Sequence, residues 1–350
     1  MTVRVLQIGA GIRGRHWIDF VKRHGEVTHA GLVEPDAANR ARAREMLGEG
    51  VPVFADLEEA LAAVAADAAL IASPSEHHAA QTVRCLEAGL AVMVEKPLAR
   101  DVAEGLSVVA AAARTGRPVM VAENYRFFPA ERTLKKLLGE GMLGRIDYVD
   151  LVDRRHMPSH TEGPWLARID YPQLQEIAIH HFDSLRAFLG TRPQALSARV
   201  WNAPWSDYAH GSDTQATIEF DGPRVNYLGT LRSHRFGFSI WIEGERGVLW
   251  SNRKWVFHRP AGSRWFRPVR NVPVPPGDEK PYPQGGTTSL LNALVAMVRD
   301  GTPAETRAED NIWTVAMVEA GKRSDREGRV VALDEVLTEE RLARAMRGEA

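Results

Sequence analysis

The chain has almost no cysteine. Cys85 is the one thiol in 350 residues, which excludes an internal disulfide and any metal site built from several thiolates. That usage fits a reducing compartment, and a cytoplasmic location is the expectation. An excess of charge is also missing. Lys and Arg number 44 against 45 Asp and Glu, for a net charge of −1, so nothing in the composition draws nucleic acid or an anionic membrane. No stretch of about 18 apolar residues exists to span a bilayer. The N-terminus enters the apolar run Val3–Ile8 directly, without the basic segment and longer apolar stretch of a signal peptide. The histidine pairs His77-His78 and His180-His181 lack a spaced set of further ligands. Neighbours on a helix diverge, so no metal is expected.

What is present is an alternation. In the first third, short apolar runs (Val3–Ile8, His29–Val33, Val51–Phe54, Ala68–Ala72, Ala91–Val94, Pro118–Ala122) are separated by amphipathic stretches. Strand and helix in turn imply βαβ units, and near-continuous apolar strands imply a parallel sheet covered on both faces. The character changes after about residue 125. From Ala195 to about Phe266 the pattern alternates and is rich in β-branched and aromatic residues, and eight of the nine tryptophans lie from Trp165 onward. That reads as a mixed or antiparallel sheet. Pro260 to Pro283 holds seven prolines and reads as a long loop or arm. Leu290–Arg299 and Asn311–Ser324 read as closing helices. The fold expected is α/β: an N-terminal Rossmann doubly wound parallel sheet over residues 1–123, then a C-terminal α+β domain over 124–350 with a large open mixed or antiparallel sheet. The last helices of the second domain are free to pack back on the first.

Gly9-Ala10-Gly11-Ile12-Arg13-Gly14 is G-x-G-x-x-G, placed between a strand and an amphipathic helix. Glycines at these steps permit the tight turn and the close approach of backbone to a pyrophosphate, whose charge the helix N-terminus then stabilises. Glu34 closes the second strand, twenty residues after Gly14. An acid there accepts from the adenosine ribose hydroxyls and repels a 2′-phosphate. NAD is therefore expected as cofactor, with NADP less favoured; Arg13 and Arg15 are the two cations that could meet a phosphate.

Two further features carry chemistry. Lys96 follows the fifth strand, and ligands of open α/β sheets bind at the carboxyl ends of strands. Its position alone leaves a cofactor-side lysine and a surface lysine equally open. Further on, Glu176, His180 and Asp183 fall on one face if residues 176–183 are an α-helix. A carboxylate beside a histidine fixes its tautomer and supports its protonated form, and alcohol oxidation needs a group that takes the hydroxyl proton. The alternative is a surface ion pair. His181 points off this face and reads as structural. Trp165, Arg168, Asp170 and Tyr171 stand just before this helix as candidate specificity residues, and Arg154 and His156 on the preceding strand are further candidates.

Taken in order, these residues resemble the Gfo/Idh/MocA oxidoreductase family over nearly the whole length. Gly9–Gly14 is similar to its dinucleotide loop. Ser73-Pro74-Ser75-Glu76-His77-His78 looks like its T-P-N-x-x-H segment, Glu95-Lys96-Pro97 matches its E-K-P, and Asn124-Tyr125-Arg126-Phe127 with Pro129 resembles its N-x-R-F-x-P. Glu176 to Asp183 lines up with its D-x-G-x-H-x-x-D helix, and Asn292 to Val331 with its closing helices. The resemblance implies that Lys96 is the catalytic lysine, His180 the acid/base and Glu176 its partner. It adds Ser73, Pro74, His78, Glu95, Lys96 and Asn124 to the cofactor contacts of Gly9, Gly11, Ile12, Arg13, Gly14 and Glu34. Substrate would be bound by Lys96, Arg126, Trp165, Tyr171, His180 and Asp183. A cis Lys96–Pro97 bond and a homodimer or homotetramer formed through the second sheet are implied as well. The chain departs from the family pattern where the substrate pocket is expected: Glu176 stands for Asp, Ala178 for Gly, and Tyr171–Gln175 for a glycine-rich stretch.

The activity implied is hydride transfer between a sugar or polyol hydroxyl and the nicotinamide of NAD. Two other readings stay open. One is a redox-neutral glycosidase or lyase that oxidises its substrate transiently. The other is a non-catalytic NAD-binding sensor, against which the intact Lys96, Glu176 and His180 count.

Overall fold

A computed structural model describes residues 2–159, 166 and 168–349. The chain divides into two compact units. One holds Met1–Asn124, Pro275–Val315 and Glu339–Ala350; the other holds Tyr125–Val274 and Ala316–Thr338.

The first unit begins β1 (Val3–Ile8), α1 (Ile12–His24), β2 (Val27–Val33), α2 (Ala37–Leu47), β3 (Val53–Phe54) and α3 (Leu57–Ala63). It continues β4 (Ala68–Ile71), α4 (His78–Glu87), β5 (Ala91–Val94), α5 (Val102–Thr115) and β6 (Val119–Val121). Six parallel strands lie in the order β3-β2-β1-β4-β5-β6, the doubly wound arrangement whose order reverses between β1 and β4. The central strands β4 and β5 are buried throughout, as a sheet with helices on both faces demands. Helix starts are set by side chains: Asp36, Asp56 and Asp101 each accept a first-turn N–H, satisfying donors that the helix cannot.

The second unit contributes α6 (Pro129–Gly139), β7 (Ile146–His156) and α7 (Ile179–Leu189). Then come β8 (Pro193–Trp201), β9 (Asp213–Phe220), β10 (Arg224–Thr230), β11 (Arg232–Gly244), β12 (Gly247–Ser251), β13 (Val256–Pro260) and β14 (Arg267–Val269). Helix α8 (Thr287–Asp300) returns to the first unit. Helix α9 (Ala308–Glu327) runs through the division, β15 (Val331–Ala332) belongs to the second unit and α10 (Glu339–Met346) to the first. The large sheet has nine strands in the order β14-β13-β12-β11-β7-β10-β9-β8-β15. It is mixed because β7 and β10 run parallel, while the other neighbours are antiparallel. The alternation read from the sequence is real: Ile240 and Ile242 are buried, whereas Trp241 between them is exposed.

One expectation is corrected. The proline-rich stretch is not all loop, because Arg267–Val269 pairs with β13. Pro268 is tolerated since β14 is the edge strand, where a missing N–H breaks no ladder.

Candidate active site

The glycine loop is built by close contact and by one buried polar side chain. A Cβ on Gly9, which has φ +99°, would sit 2.6 Å from the Ala72 carbonyl oxygen, and one on Gly14 would sit 2.3 Å from the Gly9 oxygen. Neither position admits a side chain. Gly11 differs: nothing lies within 4 Å of its Cβ direction, and it caps α1 without a side-chain acceptor. The helix start therefore faces open space with its amides available to an anion. Gln7, fully buried in β1, donates from Nε2 to the carbonyls of Gly9 and Gly14 at 2.9 and 2.8 Å. His29 Nε2 donates in turn to Gln7 Oε1 at 2.9 Å. Burial holds the His29 imidazole neutral, pushed down to about 4.

Glu34 is buried at the end of β2. Its carboxylate accepts from Ala10 N at 2.7 Å and Asp36 N at 2.9 Å. A carboxylate has about four acceptor positions, so two remain for hydroxyls while its charge stays opposed to a phosphate. Open Gly11, closed Gly9 and Gly14, and a buried acid accepting from the loop fit a dinucleotide without a 2′-phosphate.

Several residues expected at the cofactor also make polar contacts inside the first unit. Arg13 donates from Nε to Glu95 Oε1 at 2.5 Å and from Nη1 to the Pro283 carbonyl at 3.1 Å. The Trp17 indole also donates to Glu95 Oε1, at 2.7 Å. Burial alone would raise the Glu95 carboxyl, but the Arg13 charge and the bonds from Arg13 and Trp17 overcome it and hold the group below its usual range. Glu95 is thus an anchor under Lys96, whose N–H lies 3.3 Å from Glu95 Oε2. His78 is buried with Nδ1 2.7 Å from the Pro97 carbonyl and Nε2 2.9 Å from the Ser73 carbonyl. The ring sits between the loop after β4 and the turn after β5 and faces a backbone carbonyl of each. Asn124 Nδ2 donates to the Gly285 carbonyl, and Ser73 Oγ donates to Gln81 Oε1 at 2.6 Å. Arg15 is directed to Ala10 O and Asn39. The Lys96–Pro97 bond is cis.

In the second unit, Glu176 lies in a π-wound turn, Gln173–Ala178, that passes into α7 at Ile179. The winding expected over residues 176–183 therefore holds from Ile179 onward, so Glu176 precedes the α-helix that carries His180 and Asp183. The tyrosine that enters this turn, Tyr171, has φ +56° and donates to Asp325 Oδ2 of α9 at 3.2 Å. Arg126 and Asp183 are brought together: Nε to Oδ2 is 2.5 Å and Nη2 to Oδ1 is 2.7 Å, with side chains 5% and 1% exposed. A buried carboxylate demands such a partner. Arg168 and Asp170 are exposed, and Trp165 lies outside the described residues.

Spacing alone did not reveal the network around His181. Its Nδ1 is 3.1 Å from the Tyr227 hydroxyl and its Nε2 3.1 Å from Arg253 Nη2. Asp153 stands 3.4 Å away and is itself bound by Arg155 at 2.7 Å. Burial pushes the His181 imidazole down to about 3. Arg155 also donates to the Tyr125 hydroxyl at 2.9 Å, and the Tyr125 ring stacks on His180. These partners come from β7, β10 and the β12–β13 turn, far apart in the chain. The one legible hint was charge at alternating β7 positions, Asp153 and Arg155, continuing the face on which Val149 and Leu151 are apolar. Among the described residues no cluster of three or more His, Cys, Asp or Glu could hold a metal.

Two family models match the chain in succession. Residues 3–123 match the family model "Oxidoreductase family, NAD-binding Rossmann fold", and residues 135–333 match "Oxidoreductase family, C-terminal alpha/beta domain". The chain is 31% identical over 251 residues to inositol 2-dehydrogenase 1 of Saccharopolyspora erythraea, covering 71% of this chain and 69% of that protein. To D-apiose dehydrogenase of Paraburkholderia graminis it is 27% identical over 296 residues, covering 80% and 76%. A solved oxidoreductase from Agrobacterium radiobacter, in complex with NAD+, L-tartaric acid and magnesium, has the same fold: TM-score 0.87 over 96% of this chain and 100% of that one, at 18% identity.

Proposed function

The chain belongs to the Gfo/Idh/MocA oxidoreductase family, and from that membership we propose that it is an NAD-dependent dehydrogenase of a sugar or polyol. The observation that carries the cofactor choice is Glu34, buried and tied to the glycine loop through Ala10 N. The substrate class is supported by the relatives named for inositol and apiose oxidation. NAD, when bound, supplies the acceptor for the hydride. Lys96 Nζ, at the carboxyl end of β5, holds the reacting hydroxyl by a hydrogen bond. An imidazole nitrogen of His180 takes the hydroxyl proton, and Glu176 favours the charged ring that results. Asp183 orients α7 through Arg126 and presents the remaining carboxylate acceptors to neighbouring hydroxyls.

The test is to incubate the protein with NAD, and separately NADP, against inositols, aldoses, sugar acids and glycosides, following absorbance of the reduced cofactor. NADH formation with one substrate group, abolished in Lys96→Ala and in His180→Ala, is the expected result. Consumption of a glycoside without net NADH would replace this reading by the redox-neutral one. NAD binding with no turnover of any kind would replace it by the sensor.

We further propose that the exposed face of the nine-stranded sheet joins copies of this chain. Trp241, Trp250 and Phe257 lie side by side in register across β11, β12 and β13, with Trp250 and Phe257 stacked at 5.0 Å. An aromatic row exposed to water is a liability that a self-complementary interface removes. Light scattering should give a multiple of the 38.8 kDa chain mass, reduced by Trp241→Glu; a monomer at all concentrations would refute it.

A further inference from the structure

His180 does not stand alone in the second unit. The Tyr125 ring lies against it nearly parallel, with centroids 4.1 Å apart and 10° between the planes. Tyr125 is itself held at two points. Its hydroxyl accepts from Arg155, which Asp153 fixes. The Arg253 guanidinium stands 4.5 Å from its ring centroid. Arg253 comes from the turn between β12 and β13 and has φ +71°. A non-glycine residue keeps that conformation when its surroundings over-determine it. They do so here: Nε is 2.9 Å from Glu131, Nη2 is 3.1 Å from His181, and the guanidinium lies 3.9 Å from the Phe238 centroid.

We propose that Tyr125 is the positioning residue of His180, clamped by Arg155 at its hydroxyl and by Arg253 over its ring. This rests on His180 being the acid/base of the proposed dehydrogenase. The stack fixes the plane of the imidazole, so the nitrogen that takes a proton keeps one direction. The π face of the tyrosine also favours the charged ring. Removing it takes that partner from the imidazolium. The acids near His180 are unaltered by this change. Glu176 and Asp183 lie on its own segment, Asp183 bound to Arg126, while Asp153 and Glu131 stay paired with Arg155 and Arg253.

The experiment is NMR of the full chain labelled at histidine Cε1, with His180 assigned by loss of its signal in His180→Gln. In the wild type the His180 Cε1–H should be displaced upfield by the tyrosine ring current. Tyr125→Leu should abolish that displacement and lower the titration midpoint of His180 by about half to one pH unit. Tyr125→Phe, which keeps the ring, should retain most of both effects. Arg155→Met, which keeps both rings but frees the tyrosine hydroxyl, should shrink the displacement, and it decides the matter should Tyr125→Leu not fold. A folded Tyr125→Leu protein with unchanged shift and midpoint overturns the proposal, as does an unchanged displacement in Arg155→Met. None of these readings needs turnover. A His180→Ala enzyme that still reduces NAD would overturn the acid/base reading and leave the stacking result standing.

Discussion

Breaking the Arg126–Asp183 pair should cost more than removing it. The two side chains make a forked contact with bonds of 2.5 and 2.7 Å and are 5% and 1% exposed, so water screens neither charge. Asp183→Asn leaves the Arg126 cation buried without its counter-charge, with Arg186 a second cation 4.0 Å from the site. Removing one partner of a buried pair costs about 3–5 kcal/mol, whereas replacing both is often nearly neutral. For a unit of this size each kcal/mol moves the melting temperature by about 2–4 °C, so the single variant should melt roughly 6–20 °C lower. Arg126→Met should fall at the lower end, because Arg186 still faces the carboxylate. The double variant Arg126→Met/Asp183→Asn should recover most of the loss. Tryptophan fluorescence in urea and in heat is the assay, since seven of the nine tryptophans lie within Tyr125–Val274. Singles that each cost less than about 1 kcal/mol, or that simply add in the double variant, would refute the argument.

Glu34→Gln should weaken NAD roughly 10–100-fold by calorimetry, as expected for losing charged hydrogen bonds worth about 1.5–3 kcal/mol, and should raise relative affinity for NADP; an unchanged preference removes Glu34 from the ribose. Acid should destabilise the first unit through His29. Folding disfavours its protonated ring, so its contribution is complete above about pH 6.5 and is lost as pH falls toward 4, amounting to roughly 3 kcal/mol. His29→Gln should flatten urea midpoints across that window. Arg13→Met should lower stability by strandng Glu95 without its cation, by about 3–5 kcal/mol, and Glu95→Gln in the same background should restore part of it. Cys85, buried with its thiol pushed up to about 12, should react with an aromatic disulfide at pH 8 only in denaturant; fast labelling of the native protein would contradict its burial.

Local pattern made the first unit legible. Apolar runs bounded by glycines and acids encode a parallel sheet, and G-x-G-x-x-G between strand and helix has one stable geometry, so the loop and Glu34 could be placed from spacing alone. Gln7 and His29 could not, because a polar residue inside an apolar run reveals its partner only when β1 and β2 are side by side. The same limit explains Glu95 and His78: their motif positions are evident in the sequence, but the chemistry each performs depends on Arg13 and on the Pro97 carbonyl, neither of which spacing brings near.

The second unit shows a different limit. The period used to put Glu176 and His180 on one face assumed 3.6 residues per turn, and the chain adopts a π turn over Gln173–Ala178 instead. Leu174, Ile177 and Ala178 are all buried there, at the i, i+3, i+4 spacing of an ordinary helical stripe, so nothing in the apolar pattern announces the π winding. The partners of His180 then come from strand and turn: Tyr125 just past the first unit, held by Arg155 on β7 and by Arg253 between β12 and β13. An arginine in a hairpin turn reads as a solvated charge in any local window. It becomes part of the site because the sheet carries it across to Glu131, His181 and Tyr125, and its left-handed backbone is the mark that this placement, and not local preference, set its conformation.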